Sequence, residues 1–155
     1  MRILALDSSG LVAGVGLIQD DVLIAEYTTD YKKTHSQTLL PMLDEISNMT
    51  ELDLSTIDAI AVAGGPGSFT GLRIGSATAK GLGLALEKPL ISIPTTAAIA
   101  YNIWDTDKFV CPIMDARRNQ VYTGVYCYTD HRLDTVWEQD TMSIEALAEG
   151  LNCLD

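Results

Sequence analysis

At 155 residues, with 47% hydrophobic and 20% charged side chains, the chain has the size of one domain and is too apolar to stay disordered. Ten basic residues against 21 acidic ones give a net charge of -11, which repels a phosphate backbone and argues against nucleic-acid binding by the chain alone. Cys111, Cys127 and Cys153 have no CxxC spacing and read as reduced thiols of a cytoplasmic protein; no secretory leader pattern opens the chain, and no apolar run reaches membrane-spanning length.

The first apolar run, Arg2 to Leu6, ends in the turn Asp7-Ser8-Ser9-Gly10. Leu11 to Ile18 and Val22 to Tyr27 read as two more strands, joined at Gln19-Asp20-Asp21, so the chain opens with an antiparallel meander. Thr34 is placed to cap a helix from His35 to about Asn48, with Leu39, Leu40, Leu43 and Ile46 at helical spacing and Pro41 inside the pattern. A strand over Ala59 to Ala63 leads through a glycine-rich turn into a helix ending near Leu86. Leu90 to Ile93 is a short strand, and Pro94-Thr95 starts a helix reaching about Trp104.

The pattern then begins again. Phe109 to Met114, Gln120 to Thr129 and Leu133 to Gln139 read as strands, with a turn at Asp130-His131, and Ser143 caps a helix carrying Ile144, Leu147 and Leu151. Asp7 and Asp115 each close the first strand of a β-β-β-α unit. The order β-β-β-α-β-α-β-α is that of the ribonuclease H-like fold, and two such units in tandem make the actin-like ATPase architecture. The expected fold class is therefore α/β, with a first lobe over residues 1–105 and the start of a second lobe over 106–155. Three strands and one helix cover only one face of a sheet, so the second lobe reads as truncated.

Seven of the chain's 12 glycines lie between Gly64 and Gly83. In the helix, Gly71, Gly75, Ala79 and Gly83 fall four apart, and each interior glycine costs about 1 kcal/mol relative to alanine. The stripe predicts close approach of another backbone, and a partner subunit is the first candidate. The turn matches no standard phosphate template. Gly71-Leu72-Arg73 lacks the lysine of a P-loop, Thr70 replaces the third glycine of the dinucleotide fingerprint, and Ser68 lacks the flanking glycines of a nucleophile elbow.

Asp7, Ser8, Ser9 and Gly10 form a second candidate, since the likeness to actin-like ATPases, whose first hairpin carries an acidic residue and small hydroxyls around a phosphate, implies ATP or ADP there; plain turn formation is the alternative. His35 lacks a histidine four residues on, where Leu39 stands, so no helical metal pair is present. His131 reads as a turn residue, and Arg117-Arg118 as a solvated turn able to meet an anion.

Ile3-Leu4-Ala5-Leu6-Asp7-Ser8-Ser9, His35-Ser36-Gln37-Thr38-Leu39-Leu40-Pro41, Gly64 to Gly75, Ile93-Pro94-Thr95-Thr96, Asp115-Ala116-Arg117-Arg118 and Val121-Tyr122 together resemble the TsaB (YeaZ) family, once labelled glycoprotease-like. The resemblance implies the actin-like fold and a part in making threonylcarbamoyladenosine at position 37 of tRNA. It implies a non-catalytic, pseudo-enzyme role beside the paralogue TsaD, which carries metal, nucleotide and transfer chemistry, with the ATPase TsaE joining them. It also implies that the first two helices pack against those of TsaD or of a second copy. The expected interface is His35, Leu39, Leu43, Phe69, Gly71, Arg73, Gly75, Ala79 and Gly83, with no catalytic and no metal residue.

Two other readings stand beside this one. An ATP-dependent enzyme of the actin-like superfamily would rest on Asp7 to Gly10 and would bind ATP with magnesium. A peptidase would need Ser68, for which the sequence offers no base. On the docking reading, Gly75→Leu is expected to abolish a dimer while leaving the fold intact.

Overall fold

Two left-handed residues, Asp20 and Asp21 (φ 49 and 65), make the tight turn that joins β2 (Ala13–Gln19) to β3 (Val22–Thr29). With β1 (Arg2–Asp7) these strands form the expected antiparallel meander, and β4 (Ala59–Gly65) then pairs with β1 in parallel. The computed structural model describes residues 1–31 and 34–154, so the basic pair Lys32-Lys33 lies outside the described residues. The first sheet runs β3-β2-β1-β4-β5, where β5 is Leu90–Pro94. This is the ribonuclease H-like order.

Alternation in the strands and helical spacing meet in one core. Leu4 and Leu6 of β1, and Ala13, Val15 and Leu17 of β2, turn their buried side chains to one face. Helix α1 (His35–Met49) sets Leu39, Met42, Leu43 and Ile46 into the same core, which also takes Ile60 of β4 and Ala79 of α2 (Phe69–Leu86). Helix α1 lies over β2 and β3, α2 lies over β4 and β1, and the two helices touch. The sequence placed Thr34 as the cap of α1. It holds the N-cap position, but its side chain bonds no helix amide and instead lies 3.0 Å from the Ser36 hydroxyl. The helix continues on both sides of Pro41.

The chain divides into two compact units, Met1–Ile93 and Pro94–Asp155. In the second, β6 (Ile113–Arg117), β7 (Gln120–Thr129) and β8 (Arg132–Ser143) form an antiparallel meander, with α3 (Thr95–Ala100) packed on β7. Helix α4 (Ile144–Leu151) starts at Ser143, whose hydroxyl accepts the Ala146 amide as the sequence predicts. Within this unit Tyr126 donates to Thr96, which donates to Gln139, at 2.7 and 3.0 Å.

Two expectations shift here. Helix α3 ends at Ala100, short of Trp104, because the following residues turn to stack: Tyr101 lies on Trp104, and both rings meet Tyr128. Burial, with Tyr101 and Asp105 nearby, pushes the Tyr128 hydroxyl up from its usual pKa. The strand expected over Phe109 to Met114 starts instead at Ile113, after Pro112, which has no amide to give a ladder; Val110 makes an isolated bridge to Tyr126. Asp115 therefore lies inside β6, yet it uses the same local device as Asp7. Each carboxylate accepts the backbone amide two residues on, Ser9 at 2.7 Å and Arg117 at 2.6 Å. Cys111, Cys127 and Cys153 are free thiols, the first two half-buried and the third exposed. No helix among the described residues is long and apolar enough to cross a membrane.

Candidate functional site

Strands β1 and β4 are parallel neighbours, so their C-terminal ends deliver two turns to the same edge of the sheet. One is Asp7 to Gly10. The other is Gly65-Pro66-Gly67-Ser68, which opens α2. Ser68 is a side-chain cap that sequence reasoning missed, although a serine just before a helical run is its usual signal: its hydroxyl accepts the Gly71 amide at 3.2 Å. Its own amide donates to the Ser9 carbonyl at 2.7 Å.

The close approach predicted by the glycine stripe is present and comes from the chain itself, by backbone at Gly71 and by side chains first at Gly75 and Gly83. Gly71, Gly75, Ala79 and Gly83 are all buried. A Cβ on Gly67 or Gly71 would enter the carbonyl oxygen of Ser9 or Ser8, and one on Gly75 would stand 2.5 Å from Ser8 Oγ. A Cβ on Gly83 would stand 2.8 Å from a Leu90 methyl. Ser8 fixes the contact by donating its hydroxyl to the Gly71 carbonyl at 2.9 Å.

This geometry bears on the nucleotide that the fold class implies. The Ser8 hydroxyl and the Ser9, Ser68 and Gly71 amides are the groups that would meet a phosphate here. Each is engaged inside the chain, and the space over Gly67 and Gly71 is filled by the Ser8-Ser9 backbone. The turn as built does not fit a phosphate. Asp7 is exposed and spends one carboxylate oxygen on the Ser9 amide; Gly10 is exposed, and its carbonyl accepts from His35 Nε2 at 2.9 Å. Among the described residues, no three His, Cys, Asp or Glu side chains gather as a metal set.

The opposite side of α2 faces solvent. Phe69, 70% exposed, carries the Arg73 guanidinium 4.0 Å above its ring. Phe69, Leu72, Arg73, Ser76, Ala77 and Lys80 line an open groove of about 430 Å³. In a chain of net charge -11 this face carries two cations, Arg73 and Lys80. On α1, Leu40 is 52% exposed. The nine residues expected at an interface thus separate by direction. Phe69 and Arg73 point outward and His35 is half-buried, while Leu39, Leu43, Gly71, Gly75, Ala79 and Gly83 pack inside the chain.

Residues 23–153 match the family model described as TsaD, tRNA N6-adenosine threonylcarbamoyltransferase. The chain is 40% identical over 136 residues to the tRNA threonylcarbamoyladenosine biosynthesis protein TsaB of Bacillus subtilis, covering 88% of this chain and 59% of that protein. It is 37% identical over 128 residues to the protein of the same name in Escherichia coli, covering 81% and 55%. The solved structure of YeaZ from Pseudomonas aeruginosa superposes with a TM-score of 0.81 at 30% identity, covering 91% of this chain and 67% of that one. A second structure, of a Pseudomonas aeruginosa protein described as similar to peptidase YEAZ, gives 0.82 at 30% identity, covering 92% and 66%. These matches set the chain in the actin-like fold. The chain spans a little over half the length of the curated relatives it matches.

Proposed function

This chain belongs to the family of TsaD, the tRNA N6-adenosine threonylcarbamoyltransferase, and we propose that it serves threonylcarbamoyladenosine formation on tRNA as a docking subunit without transfer chemistry of its own. The observation that carries this reading is the two-sidedness of α2. Its small side is consumed within the chain, while its outer side presents an exposed aromatic ring under a guanidinium beside an open groove. Aromatic residues and arginine are enriched among the residues that dominate binding energy. The proposed occupant is a TsaD-type paralogue, which offers the nucleotide and metal chemistry that the Asp7 to Gly10 turn does not fit. A second copy of this chain is the occupant in the paralogue's absence, and a TsaE-type ATPase joins the assembled pair. The cytoplasm, where tRNA is modified, is the proposed setting.

Co-purification of the chain with the TsaD-type paralogue, followed by a threonylcarbamoyl-transfer assay with and without the chain, tests the proposal. Complex formation and a transfer rate that rises when the chain is added are expected. Transfer that is indifferent to the chain, or tight ATP-magnesium binding by the chain alone, overturns it.

A further inference from the structure

Resting on the docking reading above, we infer that the Asp7 to Gly10 turn is the joint that sets helices α1 and α2 against the sheet, and that Ser8 and His35 are positioning residues for the docking face. The turn holds both helices at their first turns. Toward α2 it gives the Ser8 hydroxyl to the Gly71 carbonyl and takes the Ser68 amide on the Ser9 carbonyl, at 2.9 and 2.7 Å. Toward α1 it takes Nε2 of His35, the first residue of that helix, on the Gly10 carbonyl at 2.9 Å. The turn itself is stiffened by the Asp7 carboxylate on the Ser9 amide.

The turn meets α2 through short groups: the Ser8 carbonyl lies against Gly71 and the Ser8 hydroxyl against Gly75, while the Ser9 carbonyl lies against Gly67 just before the helix. The glycines put no side chain of their own between the turn and the helix axis, so a shift of the turn is transmitted to α2 with little slack. Phe69 and Arg73 lie on the same two helical turns as Gly71 and Gly75, and so move with the clamped segment. Ser8 is buried and cannot touch a partner; His35 is half-buried and engaged with Gly10. Their influence on docking passes through the geometry of the helices. Phosphate-meeting groups at such a turn are here spent on holding the helices, which gives a shape-setting use to a turn that does not fit a ligand.

The test combines amide hydrogen exchange with binding to the TsaD-type paralogue, using Ser8→Ala, His35→Ala, His35→Gln and the outward double variant Phe69→Ala/Arg73→Glu. A purely local role loosens only the helix that lost its bond. A joint loosens both: Ser8→Ala speeds exchange at least tenfold at the first intrahelically bonded amides of α1 as well as α2, and His35→Ala does the same at those of α2. Binding weakens about tenfold in both single variants, and His35→Gln, which keeps an N–H donor, restores it. Exchange changes confined to one helix, or Ser8→Ala and His35→Ala binding within twofold of the parent while the outward variant fails, overturn the joint. If the outward variant binds like the parent, the docking face is wrong, and cross-helix exchange alone decides the joint. His35 lies at the surface end of α1, so His35→Ala leaves the core intact and keeps the test open should Ser8→Ala not fold.

Discussion

Ser8 Oγ fills the space that a side chain at Gly75 would need: a Cβ there would stand 2.5 Å from that oxygen but 3.8 Å from Ser8 Cβ. The pair is a lock between the first strand's turn and the glycine-rich helix, and its size makes it reversible by design. Gly75→Ala gains about 1 kcal/mol of helix propensity and loses roughly 1–3 kcal/mol to overpacking, so net destabilisation is expected. Ser8→Ala loses a buried hydrogen bond of about 1 kcal/mol. In the double variant the oxygen is gone and the new methyl makes only ordinary contacts, with the Val62 methyl at 3.6 Å and the Cβ of residue 8 at 3.8 Å. Urea unfolding should then show the double variant more stable than the sum of the singles, with a coupling of roughly 0.5–3 kcal/mol; simple additivity would contradict the lock. Gly75→Leu, with a far larger side chain at the same place, probes the fold before it probes any docking.

Gly81 is the counterexample on the same helix. It is exposed, and a Cβ there meets nothing within 4 Å. Gly81→Ala should stabilise the chain by about 1 kcal/mol, seen as a higher urea midpoint at unchanged slope. A lower midpoint would mean that this glycine has a use the isolated chain does not reveal.

Arg73→Glu reverses the charge over Phe69 and removes their contact. Both side chains are solvent-facing, so the unfolding free energy should change by no more than about 0.5 kcal/mol. Binding to the TsaD-type paralogue, measured by calorimetry, should fall tenfold or more. Loss of stability with binding retained would place Arg73 in the fold and remove it from the docking face.

In the second unit, Gly150 lies under Trp137: a Cβ would stand 2.6 Å from the indole edge. Gly150→Ala gains helix propensity in α4 yet forces the ring to move, and destabilisation of roughly 1–3 kcal/mol is expected. Near-ultraviolet circular dichroism should report the altered indole environment. An unchanged spectrum with raised stability would show that the ring yields freely.

The Ser55 side chain, together with its amide, lowers the Asp53 pKa from the usual carboxylate value. A depressed folded value gives stability that is complete above the unfolded pKa of about 3.9 and fades as pH falls through the folded value. Asp53 caps a single 3-10 turn, Leu54–Thr56, at the surface, so the effect is small. The gap in thermal midpoint between the parent and Asp53→Ala should be wider at pH 7 than at pH 2.5. A gap that does not narrow in acid would detach the cap from the carboxylate's charge.

The sequence by itself determined the order of strands and helices, because alternation at β1 and β2, helical spacing at Leu39, Leu43 and Ile46, and the Ser143 cap are local signals. It also determined that a neighbour must come close to Gly71 and Gly75. Tertiary structure decided which neighbour it was, the Ser8 backbone at Gly71 and the Ser8 side chain at Gly75. A stripe of small residues records the absence of side chains and not the identity of the neighbour, and the neighbour is Ser8-Ser9, more than sixty residues earlier in the chain. It also decided that α3 stops where Tyr101 and Trp104 meet Tyr128, a long-range stacking that helix propensity does not see. The glycine-rich helix therefore takes its place from its inner side and leaves its outer side, Phe69 and Arg73, to solvent. Chain pairing across the sheet separates those two roles, since only the parallel contact of β1 with β4 brings the two turns to one edge.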